Sequence, residues 1–506
     1  MLRIDGNTLR LEDVIRVARE HEQAVLSEKA LPGINASRNY VLEILKNKQV
    51  VYGITTGVGE LSNHYIPPGQ AIQLQERLIR SHAANVGDPL EKETVRAMIL
   101  LRANALAKGF SGVRKEVIQT LLELLNNDIY PYIPAKGSVG ASGDLSPLAH
   151  LALILTGQGE CMIKGKRTPG NTVLEKHKIK PLQLQAKEGL ALINGTQLMS
   201  AMGCLAVYDA VNLLKHAQIA GAMSLEALKG TARAFDARIH ASRPHPGQIK
   251  IAANMLRLVK DSAIIASHTH CNKVQDAYTL RCIPQVYGAV HDTIQYARTV
   301  IETEINSATD NPLIFAEEKD VISGGNFHGE PLAFALDFLG ISLSEIANIS
   351  ERTVDRMVNP HVSELPPFLA EENGLNSGYM IAQYTAAALV SENKILAHPA
   401  SVDSIPTSAG QEDHVSMGSI SAEHARMILQ NVTQVIAIEM LAAAQGIDFQ
   451  KPLEAGSGST AAQRLIRSHI PHWKEDRIMY RDIEKMAELI RSGSILAAVE
   501  EKGIVL

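Results

Sequence analysis

From about residue 195 onward the chain runs in long stretches of helical periodicity, several of them free of proline: 197–235, 248–260, 284–308, 330–357, 375–395 and 420–445. Helices of that length in a soluble protein bury their apolar faces by packing along one another. The pattern predicts a mainly α fold: an elongated long-helix bundle, with a smaller mixed N-terminal active-site region. Aromatic residues are only 4% of the 506-residue chain, with a single Trp. Alanine, leucine and isoleucine must fill the core, and they suit close helix packing.

Three regions are expected: 1–196 as an N-terminal region with the reactive loops, 197–445 as the central bundle, and 446–506 as a helical cap. The first region opens with a short strand or turn, then helices over 11–28 and 36–47. Residues 50–59, rich in glycine, read as an exposed loop. Pro67-Pro68 suits a helix start, and helical patterns follow at 89–107, 111–127 and 148–155. The Gly-, Lys- and Pro-rich stretch 157–180 reads as a hairpin or an exposed loop.

Composition narrows the function. A net charge of -5 gives no strong field for nucleic acid or an anionic membrane. The four cysteines, Cys161, Cys204, Cys271 and Cys282, have no CxxC spacing, so neither a disulfide framework nor a cysteine-based zinc site is indicated, and a reducing cytoplasm fits. The N-terminus carries acids early and has no signal-peptide pattern. No run of about 18 uninterrupted apolar residues is present to span a bilayer.

The least ordinary stretch is Lys136-Gly-Ser-Val-Gly-Ala-Ser-Gly-Asp144. It can be a glycine-rich turn before a helix, or an anion-binding nest. It can also react with itself. The Gly143 nitrogen can attack the Ala141 carbonyl carbon. Loss of two waters, one from ring closure and one from Ser142, leaves a five-membered ring with an exocyclic methylene, an electrophile that no ordinary side chain provides.

Other polar clusters lie in loops. Near 268–281, His268, His270 and Cys271 invite a metal, but their spacing matches no familiar zinc pattern. Gln275, Tyr278 and Arg281, spaced by three, share a face if the segment is helical, and an arginine can grip a carboxylate bidentately. Otherwise they are a solvated face. Asn194-Gly195 reads as a turn. Phe327 in Gly324-Gly-Asn-Phe-His328 is either a core anchor or a stacking residue. Gln411-Glu412-Asp413-His414 can be a metal site, a proton relay or a helix N-terminus. Ser81-His82 ends an amphipathic helix. GxSxG and GxxxxGK[ST] are absent, as is a GxGxxG between a strand and a helix.

Together these stretches resemble the aromatic amino acid ammonia-lyases. The matches are GSVGASGDLSPLAHLAL, YGITTGVG, EGLALINGTQ, VQDAYTLRC, SATDNPL, Gly-Gly-Asn-Phe-His-Gly and SENKILAHPASVDSIPTSAGQEDHVSMG, in the family's order from residue 52 to about 418. The resemblance implies a 4-methylidene-imidazol-5-one formed autocatalytically from Ala141, Ser142 and Gly143, with Asp144 assisting ring formation and no metal. It implies elimination of ammonia from an α-amino acid, Tyr52 on a mobile lid being the base for the β-proton. A tyrosine base needs a lowered pKa, and burial near Arg281 would supply it. Arg281 would clamp the carboxylate. Asn194 and Tyr278 would hydrogen-bond the carboxylate, the amine or the ring carbonyl, and Gln275 and Phe327 would line the pocket. The family's pockets are shared among three subunits of a homotetramer.

The resemblance also bears on the substrate. Family members acting on histidine resemble this chain at Ser81-His82 and Gln411-Glu412, where those acting on phenylalanine or tyrosine differ. An imidazole offers a donor and an acceptor that a phenyl ring lacks, and His82 and Glu412 can meet them. The expected reaction is L-histidine to trans-urocanate plus ammonia. A tyrosine or phenylalanine lyase, an aminomutase and a non-catalytic helical scaffold are the alternatives. Asn85 and Gly410 depart from the histidine enzymes, which usually have Gly and Asn there.

Overall fold

The computed structural model describes residues 1–269 and 273–506. The fold is mainly α, as the periodicity predicts, and among the described residues the strands form only two-stranded sheets. Four helices dominate: α1 (Gln197–Ala227), α2 (Ile283–Glu304), α3 (Glu330–Val358) and α4 (Gly418–Asp448). At 1.5 Å per residue the longest of them run for roughly 45 Å. Three of them, α1, α3 and α4, are long and apolar enough by composition to cross a bilayer, which the search for uninterrupted apolar runs did not anticipate. Their most apolar windows are 78%, 72% and 78% buried inside the protein, so their hydrophobicity is spent on the core.

The chain divides by contact into two units with interleaved ranges, 1–208 with 297–337 and 399–423, and 209–296 with 338–398 and 424–506. Each of α1 to α4 has residues in both ranges.

The first unit is built around the helix Lys92–Ala107, buried on nearly every face from Thr94 to Ala107. Helices Leu11–Arg19 and Lys115–Asn126 pack on it. Two arginines sit inside this core. Arg96 satisfies its guanidinium on the Val17 and Leu125 carbonyls, and Arg102 donates to the Asn194 carbonyl at 2.8 Å. Burial lowers the Arg102 pKa to about 10. Leu2–Ile4 pairs in parallel with Ala24–Leu26, so the helix expected over 11–28 stops at Arg19 and the chain returns as a strand. Glu160–Ile163 and Lys166–Pro169 form the expected hairpin, and a short helix, Gly170–Lys176, follows where only a loop was expected.

The second unit closes around Trp473, 2% exposed. Its backbone is clasped by Gln445, which accepts from Trp473 N at 3.0 Å and donates to Trp473 O at 2.9 Å. Its indole N–H donates to Asp476, Tyr379 packs at 5.8 Å between ring centroids, and the Arg477 guanidinium lies 4.4 Å over the ring. Replacing a fully buried tryptophan leaves a large cavity. Trp473→Ala is expected to cost about 3–5 kcal/mol, read as a lowered denaturation midpoint in urea.

Candidate active site

The glycine-rich stretch is held by backbone contacts on both sides. Gly143 has φ +71° and bridges to Gly195 in parallel fashion. A Cβ at Gly143 would overlap the Gly195 carbonyl oxygen, so only glycine allows this approach. Asp144 N donates to the same carbonyl at 2.6 Å. On the other side Met417 N donates to Val139 O at 3.0 Å and Ser419 Oγ to Ser138 O at 2.8 Å. Ala141 is buried against Val415 and Met417.

Asp144 is fully buried and caps the start of α1. Its Oδ2 accepts from the Leu198 and Met199 N–H groups at 2.8 and 3.0 Å, two first-turn donors that have no partner within the helix. Its Oδ1 has no partner. Burial raises the carboxyl pKa from the ordinary 3.8 to about 7; the two backbone hydrogen bonds oppose this and Glu304 adds to it. Glu304 is itself raised by burial, and it accepts from Thr196 Oγ1.

Next to this loop opens a cavity of about 720 Å³, lined wholly by the first unit. Tyr52, His82, Ser142, Asn194, Phe327 and Glu412 all line it. Tyr52 stands on the glycine loop and its hydroxyl accepts from Gly59 N at 3.2 Å. His82 is the last residue of the helix Ala71–His82. Its Nδ1 lies 2.8 Å from the Leu78 carbonyl. A carbonyl can only accept, so Nδ1 carries a proton, and in the tautomer with that single proton Nε2 is an acceptor. Phe327 sits on a loop anchored where Gly324 N donates to Asn311 Oδ1.

The Gln411–His414 run does not start a helix, because α4 begins only at Gly418. Glu412 sits instead on a tight turn, bridged to Thr407. Thr407 Oγ1 donates to Glu412 Oε2 at 2.7 Å, and the hydroxyl of the encoded Ser142 donates to Oε1 at 3.1 Å. Gly410 has φ +88° at the end of that turn, a conformation in which glycine is favoured over the expected Asn. Asn85 is buried, donating from Nδ2 to Pro134 O at 2.8 Å.

Gln275, Tyr278 and Arg281 belong to the second unit and do not line this cavity. They do not share a helical face along their length either. The helix is one turn, Tyr278–Arg281, and Gln275 precedes it. Within it the Arg281 guanidinium lies 4.5 Å over the Tyr278 ring, and Tyr278 is 71% exposed. His270 and Cys271 lie outside the described residues. His328, Glu330 and His414 form one cluster of ligand-type side chains that sequence spacing did not single out. Both His328 ring nitrogens meet backbone groups, Nε2 the His414 carbonyl and Nδ1 the Glu330 N–H, at 3.3 Å each.

A family profile described as aromatic amino acid lyase matches residues 9–468. The chain belongs to this family. It is 55% identical to a histidine ammonia-lyase of Alkaliphilus oremlandii, covering 98% of each chain. Among solved structures it is similar to histidine ammonia-lyase from Trypanosoma cruzi, with a TM-score of 0.93 and 45% identity over 100% of this chain and 96% of that one. It is equally similar in fold to tyrosine aminomutase from Streptomyces globisporus, with a TM-score of 0.94 and 39% identity over 99% and 98%.

Sequence reading missed the polar floor behind Asn194. Lys187 is fully buried and pairs with Asp310 at 2.6 Å, although nothing in the surrounding pattern marks that lysine as interior. The SATDNPL match pointed at Asp310 and Asn311 but gave them no role.

The raised Asp144 pKa has a stability consequence. The native state binds this proton more tightly than the unfolded chain, so the contribution is favourable when the carboxyl is protonated and is lost as pH rises from about 4 through about 7. Asp144→Asn removes the titration. Its stability relative to the parent should climb over that interval by up to about 4 kcal/mol and level off above it, as measured by urea denaturation at a series of pH values.

Proposed function

We propose that this lyase converts L-histidine to trans-urocanate and ammonia, the first step of histidine degradation. The observation that carries the reading is that Ser142 lines one cavity together with His82 and Glu412, the two side chains suited to an imidazole, and is hydrogen-bonded to Glu412. The Nε2 of His82 and the Glu412 carboxylate both accept, so a substrate ring N–H finds a partner at either. A phenyl ring would leave such groups desolvated and unpaired, at a cost of roughly 1–3 kcal/mol each. The histidine ammonia-lyase relatives at 55% identity support the same substrate.

The surroundings of Ala141, Ser142 and Gly143 fit a methylidene-imidazolone made from them. Gly143 turns at positive φ in a groove that admits no Cβ, and the carboxyl of the next residue keeps an unpartnered oxygen. That ring supplies an electrophile that makes the α-amine a competent leaving group. Asp144, whose carboxyl holds its proton to about neutral pH, exchanges protons during ring closure. Once Ser142 has lost its hydroxyl, Glu412 Oε1 is free for the substrate. Tyr52, on its glycine loop, takes the β-proton. Phe327 covers the ring pocket. Leu190 and Ile193, on the helix Glu188–Ile193, line the same cavity and help exclude water.

Arg281 is the carboxylate clamp, with Tyr278 and Gln275 beside it, and these come from neighbouring subunits. This requires a homo-oligomer, a homotetramer by the family's pattern, with shared pockets. The second unit carries exposed apolar side chains that could serve it: Val274, Ile381, Tyr384 and Ile395 are 60–99% exposed. A cytoplasmic location agrees with the free thiols of Cys161, Cys204 and Cys282.

An aminomutase outcome is the second reading, favoured by the similarity in fold to the Streptomyces enzyme. Incubation with L-histidine, L-tyrosine and L-phenylalanine separates the readings. Urocanate absorbance from histidine alone is expected; its absence, or a β-amino acid product, overturns the assignment. Intact-protein mass should fall short of the sequence by two waters. Ser142→Ala should abolish turnover and remove that deficit, leaving its own sequence mass.

A further inference from the structure

Asn194 reaches the cavity from the end of the helix Glu188–Ile193, and its amide orientation is determined by what lies behind it. Its Nδ2 donates to Asp310 Oδ1 at 3.3 Å and to the Asn311 carbonyl at 3.1 Å. A carboxylate and a backbone carbonyl only accept, so the NH2 group must face them and the reverse orientation would set oxygen against oxygen. Both amide N–H bonds are used. Asn194 Oδ1 is buried and without a partner. Asp310 cannot turn away: Oδ2 is paired with the buried Lys187 at 2.6 Å, and Oδ1 also accepts from Asn311 N at 2.7 Å. Arg102 fixes the Asn194 backbone through its carbonyl.

We propose that Asp310, held by Lys187, is a positioning residue that orients the Asn194 amide so that its oxygen serves the bound substrate, and that Asn194 therefore receives the α-ammonium and not the carboxylate. An acceptor beside a carboxylate or a ring carbonyl would repel it. An acceptor beside an ammonium makes a charge-assisted hydrogen bond. The inference rests on the amino-acid lyase reading of the same cavity. It narrows the expectation for Asn194 from three possible partners to one, and it gives the Lys187–Asp310 pair a task beyond the core.

The test uses two ligands that differ only in the amine: L-histidine, followed by kcat/KM, and 3-(imidazol-4-yl)propanoate, followed by its competitive inhibition constant. In Asn194→Ala, kcat/KM should fall about tenfold or more, while the inhibition constant of the propanoate stays within about twofold. Asp310→Asn should give the same selective loss, because an amide at 310 can donate and no longer dictates the direction of Asn194. Equal weakening of both ligands in Asn194→Ala overturns the ammonium assignment. Unchanged kinetics in Asp310→Asn overturns the positioning role, and so does parallel weakening of both ligands. If Asp310→Asn fails to fold, shown by circular dichroism, the double variant Lys187→Met/Asp310→Asn removes the stranded charge and carries the same expectation. The Asn194→Ala comparison decides the ammonium assignment in either case. If the parent enzyme turns over a different amino acid, the substrate reading fails on its own, and that amino acid with its des-amino analogue replaces the pair.

Discussion

The approach of two glycine backbones, Gly143 and Gly195, is the contact on which the site depends. A Cβ at Gly143 would overlap the Gly195 carbonyl oxygen, and one at Gly195 would crowd Arg102, Gln197 and Thr309. Because the two strands of chain lie this close, the Asp144 N–H reaches the Gly195 carbonyl and the Asp144 carboxyl reaches the first turn of α1. One short segment thus links Ala141-Ser142-Gly143, Gly195 two residues before α1, and the N-terminus of a 31-residue helix. The unfavourable step is the burial of a carboxyl group. The helix start offsets part of it through two N–H donors and its partial positive charge, yet burial still prevails, which is why the proton is retained to about neutral pH.

Asn194 sits one residue from that contact, and the same economy of backbone governs it. Its carbonyl is fixed by Arg102, its side chain by Asp310 and Asn311, and its neighbour Gly195 by Gly143 and Asp144. Buried polar groups are costly unless they are paired. Here several buried atoms stay unpaired, among them Arg102 Nε and Nη2, Gln197 Oε1, Asp144 Oδ1 and Asn194 Oδ1, and of these residues Asn194 lines the cavity. Unpaired atoms of this kind are the groups a ligand or a reaction can use without first breaking a protein contact.

What the sequence could disclose follows from the range of each signal. Helical periodicity is local, so the long helices were legible to within a few residues at 284–308 and 330–357, against Ile283–Glu304 and Glu330–Val358. The helix expected over 11–28 was overextended because the apolar residues of Ala24–Leu26 keep the periodicity while pairing as a strand with Leu2–Ile4. Motif matches located Tyr52, His82, Asn194, Phe327 and Glu412 at one cavity, although 360 residues separate the first from the last. Spacing misled at Gln275, Tyr278 and Arg281, where a single helical turn is too short to align three residues. Lys187 was invisible, since a lysine in a polar stretch reads as surface until its buried carboxylate partner, 123 residues away, is known.

That last case bears on how the family resemblance is used. Motifs name the groups that touch a substrate, but they do not say which atom each group presents. For His82 the answer lies in the Leu78 carbonyl, which fixes the proton on Nδ1 and leaves an acceptor at Nε2. For Asn194 it lies in Asp310 and the Asn311 carbonyl, which take the two donors and leave the oxygen. Glu412 holds two hydroxyl donors, Thr407 and Ser142. The cavity is therefore rich in acceptors on the first unit's side, which suits a substrate with an ammonium and a ring N–H. For the carboxylate its lining includes one guanidinium, Arg77, while Arg281 belongs to the second unit.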